Sequence, residues 1–231
     1  MEKWFSQRQE EIYTRWAHLK QPGQLPARQS QSCRHENHLA GRSRCRRGTD
    51  WIHRLQFQED LNYSQTLEWL FEKLPMFQRI GGAAYKADLT NTIEFCAHLG
   101  NPERNFKSFH VAGTNGKGST SHMLSAVLQE HGFKTGLFTS PHLKDFRERM
   151  RINGQIASEE FVVEFVENHK EYLEEKQLSF FEMTVGMAFS YFSEQQIDIA
   201  VLEVGMGGRL DSTNVVLPEI SVITNISFDH Q

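Results

Sequence analysis

The chain has 231 residues, 39% of them hydrophobic and 23% charged, with a formal net charge of −4. That composition fits a globular protein able to bury a core, and the acidic balance argues against a nucleic-acid binder. No apolar run approaches the roughly 18 residues of a membrane helix, and no basic-then-apolar signal peptide opens the chain.

Charge is unevenly spread. Residues 1–60 carry 11 Lys or Arg against 7 Asp or Glu, and the remainder carries 14 against 22. Within that basic segment, Phe5, Ile12, Trp16 and Leu19 lie near helical spacing over residues 2–19. Residues 21–54 show no period and hold Arg42, Arg44, Arg46 and Arg47. They read as a solvated, disordered leader, with a nucleic-acid or membrane-surface arm as the alternative. Cys33, His35, His38 and Cys45 match no common zinc spacing. The three cysteines form no disulfide framework, so a reducing cytoplasm is expected.

From Leu61 the texture changes. Ser64 is a candidate N-cap for a helix striped by Leu67, Leu70, Phe71 and Leu74 and ending at Pro75. A second helix is predicted from about Ala87 to Leu99, stopped by Gly100. A strand over Lys107–Ala112 runs into Gly113-Thr114-Asn115-Gly116-Lys117-Gly118-Ser119 and a helix to about His131. Lys134–Thr139 is the next strand, and Asn153-Gly154 marks a tight hairpin. Ser158 opens a helix with Val162, Phe165, Val166, His169 and Leu173 on one face. Phe180–Phe192 is apolar nearly all round and should be buried. Ile197–Val204 and Ile220–Ile226 complete the strands. The pattern is α/β with a mainly parallel, P-loop-type sheet flanked by helices.

In such sheets ligands bind beyond the carboxyl ends of the strands. Four predicted strands end there in polar or glycine-rich sequence: GTNGKGS, Thr139-Ser140-Pro141-His142, the run Glu203–Asn214, and Ser227-Phe228-Asp229-His230. The glycines let the backbone of Gly113–Ser119 aim N–H groups at phosphate, and Lys117 adds positive charge. The plain alternative is a Gly-rich turn with an exposed lysine. The common phosphate loop places Ser or Thr directly after its lysine to bind magnesium, whereas here Gly118 follows Lys117. Ser140, on the neighbouring strand, is placed to supply that hydroxyl. Glu203, at a strand end, is either a hard oxygen ligand for nucleotide-bound magnesium or a solvated terminal carboxylate. His230 is either a further metal ligand or merely exposed. Ser179 and Glu182 form a capping box, which alone explains both. Phe146-Arg147-Glu148-Arg149 is a charged solvated turn or a binding site for an acidic substrate.

HVAGTNGKGS, TSPHLKDFRERMRING, FFEMT, LEVGMGGRLDSTN and ITNISFDH, in this order, closely resemble the dihydrofolate synthase / folylpolyglutamate synthase family, bacterial-type members of the Mur ligase superfamily. The resemblance covers about Leu61 to Gln231 and leaves residues 1–60 outside. It implies a Mur ligase ATPase domain whose parent enzyme phosphorylates a carboxylate of dihydropteroate or folate, after which the amine of L-glutamate attacks the acyl phosphate. By the motifs, Gly113, Thr114, Asn115, Gly116, Lys117, Gly118 and Ser119 would bind ATP. Ser140, Glu203 and His230 would hold Mg2+, with Lys117, Glu203 and His230 serving catalysis. Arg79, Phe181, Glu182, Thr184, Arg209 and Asp211 would line the pterin pocket, with no nucleic-acid or membrane partner and a monomeric state.

The family continues with a carbamylated lysine and a separate C-terminal domain, so the chain is expected to be an N-terminal portion, incomplete at its C-terminus and inactive or nearly so in isolation. The alternatives are a peptidoglycan-precursor Mur ligase, a P-loop phosphotransferase or nucleotide switch, and a non-catalytic nucleotide-binding fragment.

Overall fold

The computed structural model describes residues 62–74 and 88–227. In chain order these form α1 (Tyr63–Lys73), α2 (Thr90–His98), β1 (Lys107–Ala112), α3 (Lys117–Glu130), β2 (Thr135–Phe138), β3 (Met150–Ile152), β4 (Gln155–Ile156), α4 (Glu159–Lys176), α5 (Phe180–Glu194), β5 (Ile199–Glu203) and β6 (Ile220–Ile223). The basic leader and the residues around Arg79 and His230 lie outside the described residues.

The strands make one sheet in the order β4-β3-β2-β5-β1-β6. β2, β5, β1 and β6 run parallel, while β3 and β4 form an antiparallel hairpin on the β2 edge. The hairpin turn has positive φ at both Asn153 (48°) and Gly154 (78°), the mirror-image turn that matches strand twist. Central β5 is buried along its whole length, which accounts for the unbroken apolar run that leads into Glu203.

One face of the sheet is covered by α3, through Leu124 and Leu128 against Val111, Leu137, Val201 and Val222. The other face carries the larger core, including Leu70 from α1, Phe95 from α2, Phe165 and Leu173 from α4, and Met183, Phe189 and Phe192 from α5. Helix α5 is the centre of this layer, as its apolar circumference predicts: eleven of its fifteen residues are buried. Its Gly186 lets α2 approach closely, since a Cβ there would lie 2.3 Å from the Phe95 ring.

Local capping differs from expectation at one helix. The N-cap of α1 is Asn62, not Ser64, because Asn62 Oδ1 accepts the Gln65 amide at 3.0 Å while Gln65 Oε1 accepts the Asn62 amide at 2.9 Å. That reciprocal pair satisfies two helix-end donors. At α5 the predicted capping box is present, with Ser179 and Glu182 as partners. The turn at Phe146–Arg149 is not a solvated one: it is a 3-10 turn with Phe146 and Arg149 buried, and Arg147 is held by Asp145 at 2.7 Å and Glu159 at 3.3 Å.

Candidate functional site

Parallel pairing aligns Val111 of β1 with Glu203 of β5. Two of the polar strand exits seen in the sequence therefore open side by side at one end of the sheet. The chain leaves β1 into the glycine loop at Gly113, whose φ of 135° suits glycine. A Cβ there would sit 2.1 Å from Thr224 Oγ1, so only glycine lets the loop pass the exit of β6.

That exit grips the loop. Asn225 Oδ1 accepts the Asn115 amide at 2.8 Å, the Asn225 carbonyl accepts the Thr114 amide at 2.9 Å, and Thr224 Oγ1 donates to the Asn115 carbonyl at 2.7 Å. Thr114 Oγ1 accepts the Ser227 amide at 2.9 Å. This explains why β6 stops at Ile223 instead of continuing to Ile226: the following backbone turns to hold the loop. Thr224 and Asn225 were not singled out from the sequence, although the polar break in ITNIS was their signal.

Gly116, with φ 81°, is the N-cap of α3 and makes no side-chain cap. Among the described residues, the first-turn amides of Lys117, Gly118 and Ser119 meet no acceptor, and the first helical bond is from Thr120 to Gly116. A helix start with open N–H groups is an anion-binding end. Lys117 Nζ lies back on the loop, donating to the carbonyls of Gly113 at 2.8 Å and Thr114 at 3.3 Å. Ser119 is exposed.

Glu203 is 5% exposed, and one carboxylate oxygen accepts the Ser140 amide at 3.0 Å. It makes no ion pair among the described residues. Burial raises its pKa, against the lowering effects of the Ser140 amide, Lys117 and His122. A Cβ on Gly118 would stand 3.4 Å from this carboxylate. The residue that removes the usual loop hydroxyl thus leaves room for an acidic group from β5. Ser140 is followed by a cis peptide to Pro141, and its hydroxyl meets no partner among the described residues. A buried carboxylate without a cation, beside an open hydroxyl, is a donor set that fits a hard divalent ion.

The residues expected at a pterin pocket are placed differently from one another. Glu182 and Thr184 are engaged within α5, Glu182 accepting the Ser179 amide at 2.6 Å and Thr184 donating to the Phe180 carbonyl at 2.7 Å. Phe181 is half-buried and packs on Gly205, where a Cβ would lie 2.5 Å from its ring. Asp211 is buried and organises the loop after β5, accepting the Met206 amide at 2.8 Å and the Thr213 amide at 3.0 Å. Burial raises its pKa, against the lowering effects of the Thr213 hydroxyl and of the backbone amides that it accepts. Arg209 is exposed, with no ion pair among the described residues.

Residues 111–231 match the Mur ligase middle domain model. The chain belongs to the Mur ligase family. This Mur ligase chain is 40% identical over 175 residues to the dihydrofolate synthase/folylpolyglutamate synthase of Bacillus subtilis, covering 73% of the chain and 39% of that relative. It is 35% identical over 178 residues to the folylpolyglutamate synthase of Lacticaseibacillus casei, covering 74% of the chain and 40% of that relative. It therefore spans about two fifths of the length of these two relatives. Among solved structures, a folylpolyglutamate synthase from Thermotoga maritima matches with a TM-score of 0.64 and 42% identity, over 72% of this chain and 38% of that one. A folylpolyglutamate synthase complex with AMPPCP and folate matches with a TM-score of 0.66 and 35% identity, over 74% of this chain and 42% of that one.

Proposed function

We propose that this chain supplies the ATP- and metal-binding part of an ATP-dependent amide ligase that joins L-glutamate to dihydropteroate, folate or both. The observation that carries this reading is the meeting of the open amides at the start of α3 with the buried Glu203–Ser140 pair, separated only by the side-chain-free Gly118. The similarity to folylpolyglutamate synthases, one of them complexed with AMPPCP and folate, supports the choice of substrates.

The Gly113–Ser119 loop binds the ATP phosphates, its free amides and the α3 dipole facing the anion. Lys117 exchanges its carbonyl partners for terminal phosphate oxygens and balances their charge. Ser140, Glu203 and His230 would hold Mg2+, which would supply charge neutralisation at the transferring phosphoryl group. Arg79, Phe181, Glu182, Thr184, Arg209 and Asp211 shape the acceptor pocket, Glu182 and Asp211 by fixing the backbone around it. An acceptor carboxylate activated by phosphorylation becomes competent for attack by the glutamate amine, which a free carboxylate is not. Residues 61–231 form the catalytic domain portion and residues 1–60 a leader. The protein acts as a monomer in the cytoplasm.

The test is ADP formation with dihydropteroate and L-glutamate added singly and together. It is run on the chain itself and on a chimera continued with the remaining part of the Bacillus subtilis relative. ADP from the chimera only when both substrates are present, abolished by Lys117→Ala, is the expected result. ADP without either substrate, or from no combination, overturns the ligase reading.

A further inference from the structure

Arg149 has a place in the site that the phosphate and metal chemistry does not use. It is 5% exposed, its Nε donates to His142 Nδ1 at 2.8 Å, and its guanidinium carbon lies 5.3 Å from the centre of the Phe180 ring. Among the described residues it makes no ion pair, and His142 is the one hydrogen-bond partner of its side chain. The acids nearest in sequence are committed elsewhere. Asp145 binds Arg147 and accepts the Tyr63 hydroxyl at 2.9 Å, while Glu148 accepts the amides of Leu143, Lys144 and Asp145. A guanidinium withdrawn from water without an anion is costly to keep.

The surroundings point to what would offset that cost. Because His142 Nδ1 accepts from Arg149, its Nε2 carries the proton, and that N–H meets no acceptor among the described residues. Aromatic rings wall the pair, with Phe71 6.5 Å and Phe146 6.1 Å from His142, and Phe180 5.5 Å from Phe71. The Arg149 carbonyl accepts the Thr139 amide at 3.1 Å, which pins Arg149 to the residue preceding Ser140. The pair thus stands at the same sheet end as Ser140 and Glu203.

We propose that Arg149 and the His142 N–H form a subsite for a substrate carboxylate, the fork of the guanidinium matching its two oxygens. The inference rests on the ligase reading for the identity of the ligand. In such a reaction the carboxylate comes either from the aromatic acceptor acid or from L-glutamate, and the aromatic wall suits the former.

The test is calorimetric binding to the chain of four probes: dihydropteroate, its analogue with hydrogen in place of the carboxyl group, 4-aminobenzoate and L-glutamate. Wild type is compared with Arg149→Gln and Arg149→Lys. Dihydropteroate and 4-aminobenzoate should weaken about tenfold or more in Arg149→Gln and recover in part in Arg149→Lys, with the carboxyl-free analogue unchanged. Loss confined to L-glutamate assigns the subsite to the incoming amino acid. Binding of 4-aminobenzoate through Arg149, with neither pterin bound by wild type, keeps the subsite and removes the folate reading. If no carboxylate probe weakens on substitution, including the case where none binds, the subsite is overturned. Should the variants misfold, the Arg149 Nε–H resonance of the wild-type chain decides: it should shift on titration with 4-aminobenzoate, and an unmoved signal overturns the proposal.

Discussion

Gly113 carries two demands at once, a φ of 135° and an approach to Thr224 so close that an added Cβ would lie 2.1 Å from its Oγ1. Gly113→Ala should cost about 1–3 kcal/mol by overpacking and displace the loop from Asn225. Urea denaturation and binding of a fluorescent ATP analogue measure the two effects. Glu203 makes a prediction of opposite sign for stability. Its folded pKa is raised, chiefly by burial, so ionising it works against folding once pH exceeds the unfolded-state value. Glu203→Gln should therefore stabilise the metal-free chain at pH 8, with the gain vanishing near pH 4 where both states are protonated. The same variant should lose the stabilisation that added Mg2+ gives wild type. Thermal melts at both pH values, with and without Mg2+, check this. At this scale the gathering of Lys117, Ser140 and Glu203 at one end of the sheet was legible, because all three follow predicted strands in the sequence. The turn holding Arg149 was one of two open readings, but the burial of Arg149 was not legible, since a run of alternating charges in sequence does not reveal which member is buried.

Elements were easier to read than their ends. α5 announces itself by an apolar circumference, and its start by Ser179 three residues before Glu182. Ser179→Ala removes the acceptor for the Glu182 amide and should destabilise the chain by about 1 kcal/mol, read as a lower urea midpoint at unchanged slope. The start of α1 was misplaced by two residues because Asn62 and Ser64 are both good caps, and only the Gln65 side chain reaching back chooses between them. The strand Ile220–Ile226 was overextended for a related reason. Ile226 is as β-prone as its neighbours, but pairing ends where Thr224 and Asn225 turn to the glycine loop.

Across the whole molecule, a buried polar chain ties the sheet to the loop after β5. His110 on β1 shares a hydrogen bond of 2.8 Å with Thr213 Oγ1, and that hydroxyl donates to Asp211 at 2.5 Å. Burial holds the His110 pKa down to about 4. The unfolded chain takes up a proton near pH 6.5 while the folded one resists it, so stability is full above that pH and falls as pH drops toward 4. The loss should approach about 3 kcal/mol. Chemical denaturation of wild type and His110→Asn at pH 7.5 and 4.5 tests this; the variant should show the smaller difference between the two pH values.

The periodicity of apolar residues and the placement of glycine and polar runs were enough to determine an α/β chain with a parallel sheet and a phosphate-type loop. These are properties of local spacing, which the backbone geometry of helices and strands converts directly into faces and ends. Strand order was decided only in three dimensions. So were the β5–β1 pairing that brings Glu203 beside Gly118, the grip of Asn225 on the loop, and the burial of Arg149 against Phe180. Each depends on contacts between segments far apart in the chain, and no local pattern records which of several apolar strands will lie next to which.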